Sequence, residues 1–311
     1  MNQTLSHQPV MVKEVLENLA IKDHEIYVDG TFGAGGYSSA ILQSANCRLV
    51  AFDRDHNVLK FVETIKNNFN DKFIFKNKKF SQIIEGLHEE NIEQIDGVVF
   101  DIGVSSMQLD EGFRGFSFDS DDKLDMRMDQ SQKISAFEVV NYESEQNLAD
   151  IIYKFGDEIH AKKIAKKIVA IRQQNLITKC SDLANIVRSF YRGYYKTDPA
   201  TKTFQAIRIF VNNELEELKT ALQSSLKILK KGGRIVVVSF HSLEDKIVKD
   251  FFKEQAGLNQ TYSRYQPEEL IQKKLNKTLE IITKSAICPS LEEININPRA
   301  RSAKMRVAIK L

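Results

Sequence analysis

Short apolar runs that alternate with amphipathic segments constrain this chain more than any other feature. The runs are bounded by turn residues and comprise Ile26–Val28, Leu49–Phe52, Phe73–Phe75 and Val98–Phe100. Between the second and third runs, apolar residues recur at helical spacing, namely Val58, Phe61, Val62, Ile65 and Phe69. This spacing predicts a crossover helix. Strands that alternate with helices in this way predict an α/β fold with a parallel sheet.

The strand pattern stops after Asp101 and resumes only at Ile235–Val238, which the turn Lys231–Gly233 introduces. Two later runs, at 280–283 and 305–309, complete the predicted sheet. The residues in between keep helical spacing and show no alternating pattern of the kind that strands have. The sequence therefore predicts a sheet domain made of residues 1–108 and 200–311, with a small helical domain, residues 109–199, inserted into it.

A glycine-rich turn follows the first predicted strand and precedes a helical stretch, Ser38–Gln43. Glycines in such a turn let the backbone approach a ligand closely. A nicotinamide dinucleotide site would have the spacing G-x-G-x-x-G, but after Gly33 and Gly35 the third position is Ser38. A pyrophosphate ligand, and with it a nicotinamide-dependent oxidoreductase, is thus disfavoured, while a tight turn without any ligand stays open as an alternative.

Carboxylates mark the ends of the first two strands. Asp29 precedes the glycines and Asp53 follows the second strand. Together they suit a ligand that carries a cationic amino acid part and a ribose diol, with Asp53 accepting hydrogen bonds from both ribose hydroxyls. For Asp53 taken alone, a purely structural role is an open alternative.

Two further strand ends carry candidate catalytic residues. Asp101 ends the fourth strand, where ligands bind in open α/β sheets. In the loop that follows, Ser105 and Ser106 are typical helix caps, and the amide of Gln108 is able to read a base edge. His241 ends the fifth strand, either as a proton acceptor or stacking ring or as a structural histidine, and Ser242 with Asp245 has the spacing of a helix start.

Charge and cysteine usage narrow the class of protein. The formal net charge is only +2, but one segment is strongly basic and contains Asp182 as its acid. Its bases are Lys162, Lys163, Lys166, Lys167, Arg172, Lys179, Arg188, Arg192 and Lys196. They form either a phosphate-binding surface or a solvated face. Cys47, Cys180 and Cys288 are scattered and no histidines have metal-site spacing, which argues against disulfides and against metal. With no apolar leader or long apolar run, we expect a cytoplasmic protein without membrane contact.

Several long motifs together resemble one family, the MraW family of ribosomal RNA small subunit methyltransferases (RsmH). They occur in the family's order over nearly the whole chain: HQPV at 7–10, DGTFGAGG at 29–36, DRD at 53–55, DIGVSSMQLD at 101–110, RGFSF at 114–118, LDMRMD at 124–129, ATKTFQAIRI at 200–209, SFHSLED at 239–245 and NPRARSAK at 297–304. Three positions depart from the family pattern. Tyr37 and Asp198 stand where histidine is usual, and Lys202 stands where arginine is usual.

The resemblance implies a Rossmann-like class I methyltransferase sheet that binds S-adenosylmethionine. The substrate it implies is the N4 amine of a cytosine in the decoding region of 16S ribosomal RNA, within the small ribosomal subunit. It places cofactor contacts at Gly35, Gly36, Tyr37, Asp53, Phe80, Asp101 and Gln108, beside Asp29, Gly33 and Ala34 of the same turn. Asp101 is then the candidate to stabilise charge on the attacking amine, with His241 as a second catalytic candidate. A non-catalytic RNA-binding protein of the same fold remains the alternative, and the oligomeric state stays open.

Overall fold

The computed structural model describes residues 9–258 and 277–311, and within them the chain divides into two compact units. The first contains the chain up to Gly103 and again from Leu215, and the second is Val104–Glu214. Of the segments that carry the family resemblance, His7 and Gln8 lie outside the described residues. None of the helices in the described ranges combines the length and apolar character needed to cross a bilayer.

The first unit contains a seven-stranded sheet in the order β3-β2-β1-β4-β5-β7-β6. Its strands are β1 Ile26–Asp29, β2 Arg48–Phe52, β3 Phe73–Lys76, β4 Ile95–Asp101, β5 Leu229–Ser239, β6 Leu279–Ile281 and β7 Lys304–Lys310. The first five are parallel, whereas β7 pairs antiparallel with β5 and β6 antiparallel with β7. The predicted α/β fold class is confirmed.

Apolar residues occupy consecutive positions in the middle of the central strands, as in Val98–Phe100, because both faces of the sheet are covered. Val28, Val50 and Val98 lie in one buried cluster, while their neighbours Tyr27 and Leu49 point to the opposite face and are equally inaccessible. The helices of this unit are α1 Val12–Leu19, α2 Gly36–Ser44, α3 Leu59–Phe69, α4 Ile83–His88, α11 Glu214–Ile228, α12 Ser242–Gln255 and α13 Leu291–Ile296. The crossover helix predicted from the apolar spacing is α3.

The second unit is built from helices around its own apolar core. They are α5 Ser106–Asp110, α6 Ala136–Tyr142, α7 Glu145–Gly156, α8 Ala161–Arg172, α9 Cys180–Arg188 and α10 Ala200–Asn212. The core includes Leu148, Ile152, Ile164, Ile168 and Leu183. The sequence assigned 200–311 to the sheet domain, but α10 packs here because Phe204 and Ile207 belong to this core.

One predicted turn is wrong. Lys231–Gly233 lies inside β5, not before it, because the strand bulges there and continues. Ile95 of β4 pairs with Leu229, and Gly97 pairs with Arg234, so β5 uses more residues than its partner between the two contacts. Gly232 has a φ of 82°, which only glycine adopts without strain, and this allows the extra residues to loop out of the ladder.

Candidate functional site

The carboxyl ends of β2, β1 and β4 bring three aspartates to one edge of the sheet. Asp29 ends β1 and pairs in register with Ala51 on one side and Val99 on the other. Asp53, directly after β2, and Asp101, the last residue of β4, each lie two residues beyond the partner of Asp29 on the neighbouring strand. The chain runs outward from β1 to β2 and β3, then returns to β4 on the other side of β1, so this edge is a topological switch point where ligands bind.

The glycine turn after β1 is held by a hydrogen bond to the Asp53 side chain. Gly33 has a φ of 53° and Gly35 a φ of 79°, so both need the freedom of glycine. The Gly33 amide donates to Asp53 Oδ2 at 2.8 Å, and the Gly35 amide donates to the Phe32 carbonyl at 2.7 Å. Helix α2 begins directly after Gly35, and Ala34 lies half-buried between the two glycines. A Cβ on Gly33 would meet no atom closer than 4.0 Å, so the turn leaves room on that side.

Asp29 is fully buried and is satisfied by its own segment. It accepts the Thr31 amide at 3.1 Å and the Ser38 hydroxyl at 2.7 Å. Burial raises the pKa of Asp29 to about 6, although these two hydrogen bonds act in the opposite direction. Ser38 thus occupies the third glycine position of a dinucleotide motif in order to hold a carboxylate, which explains why that position is polar.

Asp53 accepts two backbone amides and keeps further acceptor capacity. Besides the Gly33 amide, the Asp55 amide donates to Asp53 Oδ1 at 2.9 Å, and the side-chain amide of Asn77 donates to the Asp53 carbonyl at 2.8 Å. Burial raises the pKa of Asp53 to about 6. An ionised carboxylate has about four lone-pair directions, so two are left for ligand hydroxyls.

Asp101 is the least satisfied group at this edge. Among the described residues, its buried Oδ1 has no hydrogen-bond partner, while its backbone amide donates to Thr31 Oγ1 at 2.7 Å. Burial, together with the charges of Asp29 and Glu244, raises the pKa of Asp101 to about 8. A buried acceptor without a donor is rare in folded proteins. A cationic or hydrogen-bond-donating ligand would supply what this carboxyl lacks.

Aromatic side chains lie in the neighbouring segments. The Phe80 ring, partly exposed just after β3, has its centroid 5.7 Å from that of Phe100. Tyr37 is buried, and its hydroxyl donates to the Val10 carbonyl, so that hydroxyl is already engaged. At Gly36, any Cβ would clash with the ring of Pro9 at 2.6 Å, which requires glycine there for packing.

His241 is the N-cap of helix α12, which begins at Ser242 as predicted, but the capping pair is His241 with Glu244 and not Ser242 with Asp245. Its Nδ1 accepts the Glu244 amide at 3.4 Å, and Glu244 Oε2 accepts the amides of Phe240 and His241. His241 Nε2 lies 2.9 Å from Glu244 Oε1 without hydrogen-bonding geometry. Asp245 instead pairs with Arg306, at 2.6 Å from its Nε. These contacts support the structural alternative for His241.

Gln108 belongs to the second unit, where it completes a capping box. The Gln108 amide donates to Ser105 Oγ at 3.3 Å, and Gln108 Oε1 accepts the Ser105 amide at 3.1 Å. Ser105 is therefore the helix cap that the sequence predicted. The side-chain oxygen of Gln108 is engaged locally, and its role toward a ligand stays a prediction.

Some cations of the basic segment are neutralised within the second unit. Arg188 pairs with Asp119 and Asp198 at 2.7 Å, and Lys179 lies 3.6 Å from Asp121. Arg172 donates to the carbonyls of Val140 and Glu143. Besides Arg172, the bases with no ion pair among the described residues are Lys162, Lys163, Lys166, Lys167, Arg192 and Lys196.

The two other departures from the family pattern have local structural roles. Asp198 pairs with Arg188, and its Oδ1 accepts the Ala200 amide at 2.7 Å at the start of α10. Lys202 donates to the Asp157 carbonyl at 2.9 Å. Both side chains therefore stabilise loop ends of the second unit.

Four polar residues that shape the site were missed by sequence reasoning, namely Thr31, Ser38, Asn77 and Glu244. Each acts by holding an aspartate or a helix start in place. For Ser38 and Thr31 a signal existed, because both flank the glycines within a few residues of Asp29. Asn77 directly follows β3, just as Asp53 directly follows β2. The strand pattern alone would therefore have placed Asn77 at the same edge of the sheet as Asp53.

Comparisons with known proteins relate this chain to one protein family. A sequence model described as the MraW methylase family matches residues 4–311. The Rickettsia felis protein named Ribosomal RNA small subunit methyltransferase H is 52% identical over 309 residues, covering 98% of this chain and 99% of that protein. The protein of the same name from Rickettsia bellii is 52% identical over 308 residues, with 98% and 99% covered. A solved rRNA methylase from Streptococcus thermophilus aligns over 99% of both chains at 9% identity and a TM-score of 0.44.

Proposed function

This chain belongs to the MraW methylase family and is an S-adenosylmethionine-dependent ribosomal RNA methyltransferase, and we propose that it methylates N4 of a cytosine in the decoding region of 16S ribosomal RNA. The family match across residues 4–311 is the observation that carries the proposal. The rival readings, a nicotinamide-dependent oxidoreductase and a non-catalytic RNA-binding protein, have no support in that match. The small ribosomal subunit is the proposed form of the substrate, which puts the reaction in the cytoplasm.

The aspartate edge suits the cofactor, which when bound supplies an electrophilic methyl group on a sulfonium. We assign its binding to Asp29, Gly33, Ala34, Gly35, Gly36, Tyr37, Asp53, Phe80, Asp101 and Gln108. Asp53 has acceptor directions left for two ribose hydroxyls, and Phe80 presents a ring next to the same edge. Tyr37 contributes through its backbone at the start of α2, because its hydroxyl is engaged by Val10.

Asp101 is the proposed catalytic group. Methyl transfer is an in-line displacement, so the protein mainly has to align the amine with the methyl carbon about 3 Å away. An exocyclic cytosine amine becomes positively charged as it attacks, and the unpaired Oδ1 of Asp101 can accept its N–H. Nearby positive charge lowers a carboxyl pKa, so a cationic ligand would convert Asp101 to the carboxylate that this role needs.

The second unit is the proposed RNA-binding part. Lys162, Lys163 and Lys166 project from the exposed side of α8 and have no ion pair among the described residues. Such cations gain affinity for a polyanion by releasing counterions from its phosphates. Substrate recognition is therefore assigned to Val104–Glu214, and methyl transfer to the aspartate edge of the first unit.

Nucleoside mass spectrometry tests the proposal directly. Small subunits are isolated from a strain that lacks this protein and are incubated with the purified enzyme and S-adenosylmethionine. We expect N4-methylcytidine to appear in the 16S RNA, and an Asp101→Asn enzyme to produce much less of it. A methyl group on another base or on a ribosomal protein would overturn the substrate assignment.

A further inference from the structure

A cluster of tyrosines lies between helices α9 and α10 and has no part in the roles assigned so far. The chain there reads Phe190-Tyr191-Arg192-Gly193-Tyr194-Tyr195-Lys196, so each of two aromatic pairs is followed by a basic residue. Tyr194 is 96% exposed and Tyr195 is 46% exposed. Large aromatic side chains lose favourable burial when they are left in water. Two adjacent exposed tyrosines therefore mark a surface that gains by being covered.

The base of this cluster is held in place by a buried carboxylate. The Tyr191 hydroxyl donates to Glu158 Oε1 at 2.6 Å, and Glu158 is fully buried. The Tyr191 ring packs edge-on against His160 at 5.2 Å and against Tyr195 at 5.3 Å between centroids. Tyr195 is thus supported from behind by Tyr191. We call Tyr191, Tyr194 and Tyr195 the tyrosine platform.

The charges around the platform are positive. Arg192 and Lys196 are exposed and form no ion pair among residues 9–258 and 277–311. Lys167 lies 5.4 Å from the centroid of Phe190. The acids next to the segment are already engaged, because Glu158 is buried under Tyr191 and Asp198 pairs with Arg188. An anionic partner with flat faces matches this combination.

We propose that the tyrosine platform stacks an unpaired base of the RNA substrate while Arg192 and Lys196 contact the flanking phosphates. Single-stranded RNA is bound in this way by aromatic side chains set among basic ones, since every base offers a π-face. A duplex hides its bases within the stack, so it cannot use the platform. The inference rests on the proposed function and adds which form of RNA the second unit holds.

Tryptophan fluorescence tests the stacking contact, because the chain contains no tryptophan. Tyr194→Trp introduces a single fluorophore into the platform. The matched control is Tyr153→Trp on α7, where the tyrosine is 66% exposed but lies one helical turn from both Asp150 and Asp157. A single-stranded 16S RNA fragment should quench the first variant saturably and leave the second nearly unchanged. Equal quenching of both, or of neither, would overturn the proposal.

Affinity measurements separate stacking from charge. The double variant Tyr194→Ala with Tyr195→Ala should bind the single-stranded fragment at least about fivefold more weakly, at the low end of what base stacking contributes. Its salt slope should stay that of the wild type, and Tyr194→Phe with Tyr195→Phe should retain affinity. Arg192→Ala with Lys196→Ala should instead flatten the salt slope.

Two other outcomes are distinguishable. Unchanged affinity of the double alanine variant for single-stranded RNA, with weakened binding to the intact small subunit, would assign the platform to a ribosomal protein and overturn the RNA proposal. If the alanine variant binds RNA normally and methylates it normally, the platform idea fails while the proposed function stands. Failure of the wild-type enzyme to methylate any ribosomal RNA would instead remove the proposed function itself.

Discussion

At the scale of single residues, Asp53 is the carboxylate most closely tied to the glycine turn. Asp53→Ala removes the acceptor of the Gly33 amide as well as the directions left for ribose hydroxyls. We expect S-adenosylmethionine to bind about 1 to 3 kcal/mol more weakly, the range for lost charge-assisted hydrogen bonds. Calorimetric titration measures this, with Glu63→Ala on the exposed side of α3 as the control. An unchanged dissociation constant would refute the ribose assignment.

Asp101 has a different role from Asp53, and the two roles separate kinetically. Asp101→Asn keeps the size of the side chain but cannot carry a negative charge. If the carboxylate stabilises charge on the attacking amine, the methylation rate should fall by about tenfold or more while cofactor affinity changes less. Single-turnover kinetics alongside calorimetry measure both quantities. Losses of equal size in rate and affinity would mark Asp101 as a cofactor contact alone.

The raised pKa of Asp101 also makes stability depend on pH in the cofactor-free protein. The folded state holds this proton up to a pKa of about 8, whereas an unfolded aspartate loses it near about 3.9. The stabilising contribution of Asp101 is therefore complete below the unfolded value and is lost as the pH rises through about 8. Burial raises the pKa values of Asp29 and Asp53 in the same direction.

The test compares wild type with Asp101→Asn in thermal melts from about pH 5 to about pH 9. The difference between the two proteins reports the titration of Asp101 together with its coupling to Asp29, whose charge raises the Asp101 pKa. The wild type should lose Tm relative to the variant as the pH rises, by about 2 to 4 °C for each kcal/mol. Parallel Tm curves for the two proteins would show that the Asp101 carboxyl titrates normally.

At the scale of elements, helix α8 carries its positive charge on one side. Its apolar residues Ile164 and Ile168 are buried in the core of the second unit, which leaves Lys162, Lys163 and Lys166 exposed and Lys167 half-buried. A helix that packs by one face presents its charges together on the other. The basic surface therefore follows from the amphipathic pattern of α8.

Charge reversal of these four lysines to glutamate should weaken RNA binding and flatten its salt dependence, by up to about 0.7 in slope for each lost phosphate contact to a single strand. Cofactor affinity should not change. Filter binding over a range of salt concentrations measures the slope. Lys179→Glu is the matched control, because its ammonium is already paired with Asp121. If the variant with all four substitutions keeps the RNA affinity and the salt slope of the wild type, the lysines of α8 are merely solvated and do not bind RNA.

At the scale of the whole molecule, the small net charge of +2 is the sum of charges that are unevenly distributed between the two units. The acid-rich segment before α6 neutralises part of the basic segment, through the pairs of Asp119 with Arg188 and Asp121 with Lys179. Most of the remaining cations of that segment are exposed in the second unit, whereas buried carboxylates lie at the sheet edge of the first. A polyanion and a cationic cofactor thus meet opposite electrostatic environments.

The sequence by itself determined the sheet and the position of the aspartates. Apolar runs reveal strands because a parallel sheet is buried on both faces, and the carboxyl ends of parallel strands necessarily meet at one edge. Asp29, Asp53 and Asp101 could therefore be predicted as neighbours. The long motifs carried the family, which geometry alone would not have given.

Only the tertiary structure decided which polar groups are satisfied. Asp29 is held by Ser38 while Asp101 Oδ1 is left unpaired, although the two carboxylates look alike in sequence. In the same way, Arg188 forms an ion pair with Asp198, whereas Arg192 has no ion pair among the described residues. The structure also decided that α10 packs with the helical unit. Hydrogen bonds, ion pairs and core packing join residues distant along the chain. Periodicity reports only which side of an element is buried, so it cannot identify the partner.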